Sequence, residues 1–127
     1  MDSFLYKEET YKIIGAAMAV HRFFGRGFSE KVYQDALEIE FQEQGISYLR
    51  EEPLFAEYHK RVLATEFKPD FICFDHIIVE LKAVQELEDY QRSQAINYAR
   101  VGGYEIALLI NFGEASLRYE RYIVSNL

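Results

Sequence analysis

Two acidic residues and a lysine, spaced along the middle of the chain, are of the types that bind a metal ion or take part in hydrolysis. Asp70 ends the tripeptide Lys68-Pro69-Asp70, and Glu80-Leu81-Lys82 begins ten residues later. The segments 71–74 and 77–79 between them are apolar, which predicts a β-hairpin with strands buried on both faces. A buried charge is costly unless it is paired or binds a metal. Catalysis is one explanation for such a cluster.

The length of the hairpin turn decides whether the two acids meet. If residues 74–76 form a three-residue loop, residue 73 pairs with residue 77 and Asp70 lies opposite Glu80, with Cβ atoms about 4.5–5.5 Å apart. Two carboxylates that close repel each other unless a cation lies between them, and Lys82 would lie beside it. If the loop has two residues, Asp70 lies on the opposite face. No Gly or Asn fixes the turn type, so both alternatives stay open.

Three helices are predicted around these strands. Residues ~4–24 carry apolar side chains at three- and four-residue steps, and Gly25-Arg26-Gly27 ends that pattern. A second helix is expected at about 28–44, with Gly45 just after its end. A third is expected at about 88–101, closed by Gly102-Gly103.

The strands complete an α/β fold. Short aromatic and β-branched runs predict three strands between residues 46 and 79, a central strand at 106–110 and a less buried strand at 117–124. The order is α-α-β-β-β-α-β-β, giving a mixed central sheet of about four to five strands flanked by helices. The helical crossover should be right-handed and should make the strands it joins parallel if they are neighbours.

Composition favours one packed domain over residues 1–127. Half of the residues are apolar, with ten Tyr and ten Phe. No apolar run approaches the ~18 residues of a membrane span, and Met1-Asp2-Ser3 does not begin a signal peptide. Cys73, the single cysteine, is expected to be an inert core thiol, which fits a reducing, cytoplasmic compartment. One cysteine excludes zinc sites of the Cys type.

The net charge of −7 does not favour a nucleic-acid partner, because phosphate binding normally uses a basic patch. The charge is unevenly distributed, however, and the N-terminal third is locally basic. Its basic residues are Lys7, Lys12, His21, Arg22, Arg26 and Lys31.

Four blocks of sequence, in order, resemble the PD-(D/E)XK nuclease superfamily and, more closely, the GxxExxY proteins within it. The first is Gly27-Phe28-Ser29-Glu30-Lys31-Val32-Tyr33, which matches the pattern that names the GxxExxY group. Pro69-Asp70 with Glu80-Leu81-Lys82 is the second. The others are Gln94-Ala95-Ile96-Asn97-Tyr98 and Leu109-Ile110-Asn111-Phe112-Gly113. The resemblance implies a restriction-endonuclease-like core and a metal-dependent nuclease acting on DNA or RNA.

The resemblance also implies a role for each matching residue. Asp70, Glu80 and the Leu81 carbonyl would bind Mg²⁺ or Mn²⁺, cations that prefer oxygen ligands. Lys82 would position the attacking water and offset developing negative charge. Gln94 and Tyr98, one turn apart on the third helix, would reach the metal-bound waters or the scissile phosphate. Glu30 would complete the acidic cluster, directly or through water.

Simpler explanations exist for the same residues. Asp70, Glu80 and Lys82 could form a cross-strand ion pair, and Glu30 could favour a helix start as the third residue after a Gly27 N-cap. Tyr33 is most simply a core residue, and Gln94 and Tyr98 a polar helix edge. Asn111 could tie a turn. None of the three histidines has metal-ligand spacing.

Two other functions compete with the nuclease hypothesis. One is a catalytically inactive module that keeps the fold and binds a partner protein or a nucleic acid. The other is a structural subunit that forms a homodimer through its third helix or its last strand, where Tyr119, Tyr122 and Ile123 offer an edge for pairing.

Overall fold

The computed structural model describes residues 5–125, which form three helices and seven strands. The helices are α1 (Lys7–Phe24), α2 (Glu30–Gln44) and α3 (Asp89–Gly102). The strands are β1 (Tyr48–Arg50), β2 (Leu54–Tyr58), β3 (Arg61–Phe67), β4 (Phe71–Cys73), β5 (Ile77–Lys82), β6 (Ile106–Asn111) and β7 (Arg118–Ile123). No helix within the described residues is long and apolar enough to cross a membrane.

Five strands form a mixed sheet in the order β1-β4-β5-β6-β7. The central pair, β5 and β6, is parallel and is joined through α3, as the predicted crossover requires. The other neighbours are antiparallel. β7 forms one edge, where Tyr119 and Ile123 are 42% and 49% exposed. The prediction of an α/β fold with a mixed sheet of four to five strands is confirmed.

The predicted number of strands was wrong. Five strands, and not three, lie between α2 and α3, because β2 and β3 form a two-stranded sheet of their own. Nearly every residue of β3 is exposed, so this ribbon lacks the buried alternation that marks a strand in sequence. Its turn places His59 and Lys60 at φ 51° and 61°, without the Asn or Gly that usually signals such a turn.

The sheet separates two apolar cores. Alternate residues of a strand point to opposite faces. Ile77, Val79 and Leu81 of β5 therefore pack with α1 and α2, whereas Ile78 packs in the smaller core beneath α3. The same alternation assigns Glu80 and Lys82 to the α3 face. Cys73 is fully buried, as predicted, and burial raises the pKa of its thiol.

The connection between α1 and α2 is fixed by a buried tyrosine. Tyr33 is fully buried and stacks on Phe112 with ring centroids 4.5 Å apart, which confirms it as a core residue. Its hydroxyl donates to the Gly25 carbonyl at 2.5 Å and accepts from the Phe28 N–H at 3.3 Å. The backbone that reverses between the two helices is therefore held by the core.

The start of α2 differs from the expected one. Ser29, and not Gly27, is the N-cap: its Oγ accepts a hydrogen bond from the Val32 N–H. Glu30 is consequently the first helical residue and not the third. Ser29 is preferred as the N-cap because its side-chain oxygen accepts a hydrogen bond from a backbone N–H of the first turn, which glycine cannot do.

Asn111 ties together the two loops that follow β5 and β6. It is fully buried, and its Oδ1 accepts from the Val84 and Gly113 N–H groups at 3.0 and 3.1 Å. Its Nδ2 donates to the Val84 carbonyl and to Glu114 at 2.9 and 2.8 Å. Asn111 therefore has the turn-tying role that its position in the sequence suggested.

Replacing Asn111 with Ala should lower the free energy of unfolding by about 2–3 kcal/mol, because buried amides lose their acceptor. Urea unfolding followed by circular dichroism measures this. Asn97→Ala, at an exposed position of α3, is the matched control and should change stability by less than about 0.5 kcal/mol. Equal effects of the two substitutions would show that the Asn111 side chain contributes little.

Candidate active site

The register of the β4–β5 hairpin brings the two acids together. Cys73 pairs with Ile77 and Phe71 with Val79, so residues 74–76 form the three-residue turn. Phe74 and Asp75 make it with φ values of 55° and 61°. One further step along this register places Asp70 opposite Glu80. Of the two alternatives left by the sequence, the one that assembles the site is the one observed.

Asp70 and Glu80 hold each other through the backbone. The Asp70 N–H donates to Glu80 Oε1 at 2.7 Å, and the Leu81 N–H donates to Asp70 Oδ2 at 2.7 Å. Within residues 5–125 the second oxygen of each carboxylate accepts no hydrogen bond. Each acid is therefore fixed by one oxygen and presents the other to a ligand.

Both carboxyl groups are harder to ionise than usual. Burial raises the pKa of Asp70 from 3.8 to about 6, and the charge of Glu30 adds to the increase. Glu80 is 4% exposed, and burial, followed by the charge of Asp70, raises its pKa well above 4.5. The positive charge of Lys82 lowers both pKa values, but by less than burial and the neighbouring acids raise them. A cation held between the two acids would relieve both causes.

The metal-free protein should lose stability as the pH rises. Asp70 has a pKa of 3.8 when unperturbed and about 6 in the fold, so above pH 4 the unfolded chain releases a proton that the folded chain retains. The free energy of unfolding should fall between about pH 4 and pH 6, by up to about 3 kcal/mol from this group.

Asp70→Asn removes this titration and should flatten that part of the curve in urea unfolding with a chelator present. Asp75→Asn, at an exposed position of the hairpin turn, is the matched control and should leave the pH dependence of wild type in place. Identical curves for all three proteins would mean that Asp70 ionises normally in the fold.

Lys82 is held by an amide and not by an acid. Its Nζ donates to Gln94 Oε1 at 2.8 Å, and Gln94 Nε2 donates to the Tyr98 hydroxyl at 3.2 Å. No carboxylate in the described part of the chain lies at ion-pair distance from Lys82. The cross-strand ion pair considered as an alternative is therefore absent from the described residues, where the hydrogen-bond partner of Lys82 is an uncharged amide. Gln94 and Tyr98 face this site from α3.

Tyr98 lies between the site and the end of β3. Burial raises the pKa of its hydroxyl, and the charge of Glu80 raises it further. Its ring meets that of Phe67 edge-on, with centroids 5.8 Å apart. The end of β3 is therefore packed against the residue that supports Gln94.

Glu30 lies at the periphery of the acidic pair. It is exposed at the start of α2, and its charge raises the pKa values of both Asp70 and Glu80. Within residues 5–125 no three Asp, Glu, His or Cys side chains are arranged to share a metal ion. The carboxylate donors that the structure brings together are thus those of Asp70 and Glu80.

Leu81 adds a third oxygen in the right place. Its N–H points to Asp70, and in a strand the C=O of a residue points to the same edge as its N–H. β4 pairs with β5 only as far as Val79, so the Leu81 carbonyl lies beyond the last paired residue of β4. Two carboxylates and one peptide carbonyl form an all-oxygen donor set, which fits Mg²⁺ or Mn²⁺ with water completing the shell.

Two residues that the sequence did not single out fix the Asp70 backbone. The Glu51 N–H donates to the Asp70 carbonyl at 3.2 Å, and Gln34 Nε2 approaches the same oxygen at 3.5 Å. Gln34 is buried and also bonds Glu51 and Arg50. A polar residue three positions before Leu37, within the apolar stripe of α2, was the signal that could have identified it.

Comparison with known proteins agrees with the observed fold. A sequence model of the PD-(D/E)XK nuclease superfamily matches residues 7–122, which is nearly the whole chain. The chain belongs to the PD-(D/E)XK nuclease superfamily. No curated protein matches it. As a PD-(D/E)XK domain, it has a restriction-endonuclease-like α/β fold, and membership indicates a nuclease that acts on nucleic acid.

Proposed function

We propose that this protein is a metal-dependent nuclease that hydrolyses phosphodiester bonds of DNA or RNA with Mg²⁺ or Mn²⁺. Membership of the PD-(D/E)XK superfamily supports the reaction class. The observation that carries the proposal for this chain is the interlocked pair Asp70 and Glu80, each with one oxygen that accepts no hydrogen bond within residues 5–125, beside Lys82, which donates to Gln94.

The donor set described above would hold the metal through Asp70, Glu80 and the Leu81 carbonyl. When bound, such a cation lowers the pKa of a coordinated water and stabilises negative charge on the phosphoryl oxygens. The two carboxylates would then stay ionised at neutral pH, because the opposite charge removes the repulsion that raises their pKa values.

Lys82 would position the attacking water and stabilise the charge that develops on the phosphate. Its ammonium points to the α3 face, as Glu80 does, and a preorganised cation there needs no rearrangement during the reaction. Gln94 orients Lys82 through its amide oxygen, and the Tyr98 hydroxyl orients Gln94. Glu30 would act through water from the edge of the site.

We also place the chain in the GxxExxY group, as one cytoplasmic nuclease-like domain over residues 1–127. Two positions of that motif have structural reasons here. Gly27 has a φ of 107°, which side chains rarely adopt, and Tyr33 anchors the turn between α1 and α2. Glu30 is the motif residue whose charge raises the pKa values of Asp70 and Glu80.

The test is cleavage by the purified chain of labelled DNA and RNA, single- and double-stranded, with Mg²⁺ or Mn²⁺ and with a chelator. Cleavage that requires the metal supports the proposal. Calorimetric titration with Mn²⁺ accompanies it. Absence of cleavage, together with absence of metal binding, would reject the nuclease in favour of a catalytically inactive module of the same fold.

A further inference from the structure

The turn between α1 and α2 exposes aromatic rings. We call residues 22–29 the α1–α2 corner. Phe23 is 82% exposed and Phe28 is 48% exposed. Both meet the ring of Phe24 edge-on, with centroids 4.9 and 5.3 Å away. Solvent-exposed apolar rings gathered in one cluster are typical of an interaction surface.

The same corner carries two unpaired cations in an acidic protein. Arg22 and Arg26 are exposed, and neither has a carboxylate of residues 5–125 at ion-pair distance. By contrast, Arg50, Arg92 and Arg118 are all in ion pairs. With a net charge of −7, attraction to a polyanion must come from such a local site.

A cleft lies between the α1–α2 corner and the loops that follow β5 and β6. It has a volume of 440 Å³, and Arg26 and Gly27 form one wall. Ala83 and Val84, which directly follow Lys82, form the other wall with Gly113. This wall of the cleft thus begins one residue after Lys82 in the chain. Arg26 is the charged side chain that lines it.

We propose that the α1–α2 corner binds unpaired nucleotides, with Arg26 contacting a phosphate in the cleft and Phe28, assisted by Phe23, stacking on a base. This inference rests on the proposed nuclease function and names its substrate class: single-stranded or locally unpaired nucleic acid. A base inside a duplex is covered on both faces by its neighbours, so only an unpaired base can offer a face to an exposed ring.

The corner is preorganised for this role. Tyr33 lies in the core and holds both the Gly25 carbonyl and the Phe28 N–H. The backbone on either side of Arg26 is thus fixed before the ligand arrives, which lowers the entropy cost of binding.

The β2–β3 ribbon carries similar residue types and supplies matched controls. Arg61 is exposed at its tip with no ion pair within the described residues, and Phe55, opposite Glu66 at the other end, is 45% exposed, close to the value for Phe28. Binding that depended on charge and aromatic exposure alone would be as sensitive to these two residues as to the corner.

The experiment is fluorescence anisotropy of a short labelled oligonucleotide, single-stranded or annealed to its complement, with the full chain in the presence of a chelator. Phe28→Leu should weaken single-strand binding about tenfold, the loss typical of one stacked base, and should leave duplex binding unchanged. Arg26→Gln should weaken single-strand binding and lower the slope of the logarithm of the binding constant against the logarithm of the salt concentration by about 1. Phe55→Leu and Arg61→Gln should match wild type.

Several results would overturn the proposal: tighter binding of duplex than of single strand, unchanged affinity in Phe28→Leu and Arg26→Gln, or equal losses in the two ribbon variants. Circular dichroism checks folding, and Phe23→Leu, at the most exposed ring, replaces Phe28→Leu if the latter does not fold. Corner-dependent binding without any cleavage supports this inference although the nuclease proposal fails. Cleavage by wild type, together with unchanged affinity in the corner variants, supports the nuclease proposal and rejects this inference.

Discussion

Replacing Glu80 with Gln should abolish cleavage and at the same time stabilise the metal-free protein. The carboxyl group is 4% exposed, and its ionisation is opposed by burial and by Asp70. Glutamine has the same shape, and its Oε1 can still accept from the Asp70 N–H, while its Nε2 can donate to Asp70 where Glu80 repelled it. The free energy of unfolding at neutral pH should rise by roughly 1–3 kcal/mol. Loss of a metal ligand should slow cleavage about a thousandfold or more.

Urea unfolding with and without Mg²⁺ separates the two effects. A metal that binds the folded state stabilises it in proportion to the logarithm of its concentration over Kd, so Mg²⁺ should stabilise wild type and not Glu80→Gln. Glu57→Gln, at an exposed position of β2, is the matched control and should behave as wild type in both assays. A Glu80→Gln variant that is less stable without metal and still cleaves would remove Glu80 from the site.

Replacing Lys82 with Met should lower the rate of the chemical step by about 10²–10³, the range found when one preorganised group that stabilises developing charge is lost. The side chain leaves the sheet on the α3 face, where Gln94 Oε1 accepts from it at 2.8 Å. Methionine keeps much of the apolar stem and removes the charge. Metal binding should persist, because Asp70, Glu80 and the Leu81 carbonyl are unchanged.

Single-turnover cleavage and calorimetric titration with Mn²⁺ together test this separation of roles. Lys12→Met, at an exposed position of α1, serves as the control and should cleave at the wild-type rate. If Lys82→Met cleaves as fast as Lys12→Met, the ammonium has no part in the reaction. A loss of metal affinity in Lys82→Met would mean instead that Lys82 shapes the metal site.

The main sheet could be predicted from sequence because its strands are buried and its helices are amphipathic. The apolar run at β6 and the helical crossover before it predicted that β5 and β6 would be parallel if they were neighbours, and they are. The hairpin register was not decidable, because the turn is made by Phe74 and Asp75 in left-handed conformations that no turn rule assigns to them.

Two other features were hidden for different physical reasons. Strand β3 is exposed on nearly every residue, and periodic burial is what identifies a strand in sequence. Gln34 and Glu51 contact Asp70 from segments that are distant in the chain. A polar residue in the apolar stripe of a helix does not reveal which residue it contacts. The acids and the lysine stood out in the sequence, whereas the contacts of Gln34 and Glu51 with the Asp70 carbonyl did not.

Since β2 and β3 form a two-stranded sheet of their own, the chain should tolerate inserted residues in the turn of the β2–β3 ribbon. None of residues 54–67 contributes a hydrogen bond to the ladder that aligns β4 with β5. Loop closure costs little per added residue. Extra residues inserted between His59 and Lys60 should therefore leave the catalytic alignment intact, so this tip is where a recognition peptide or fluorescent tag is best grafted.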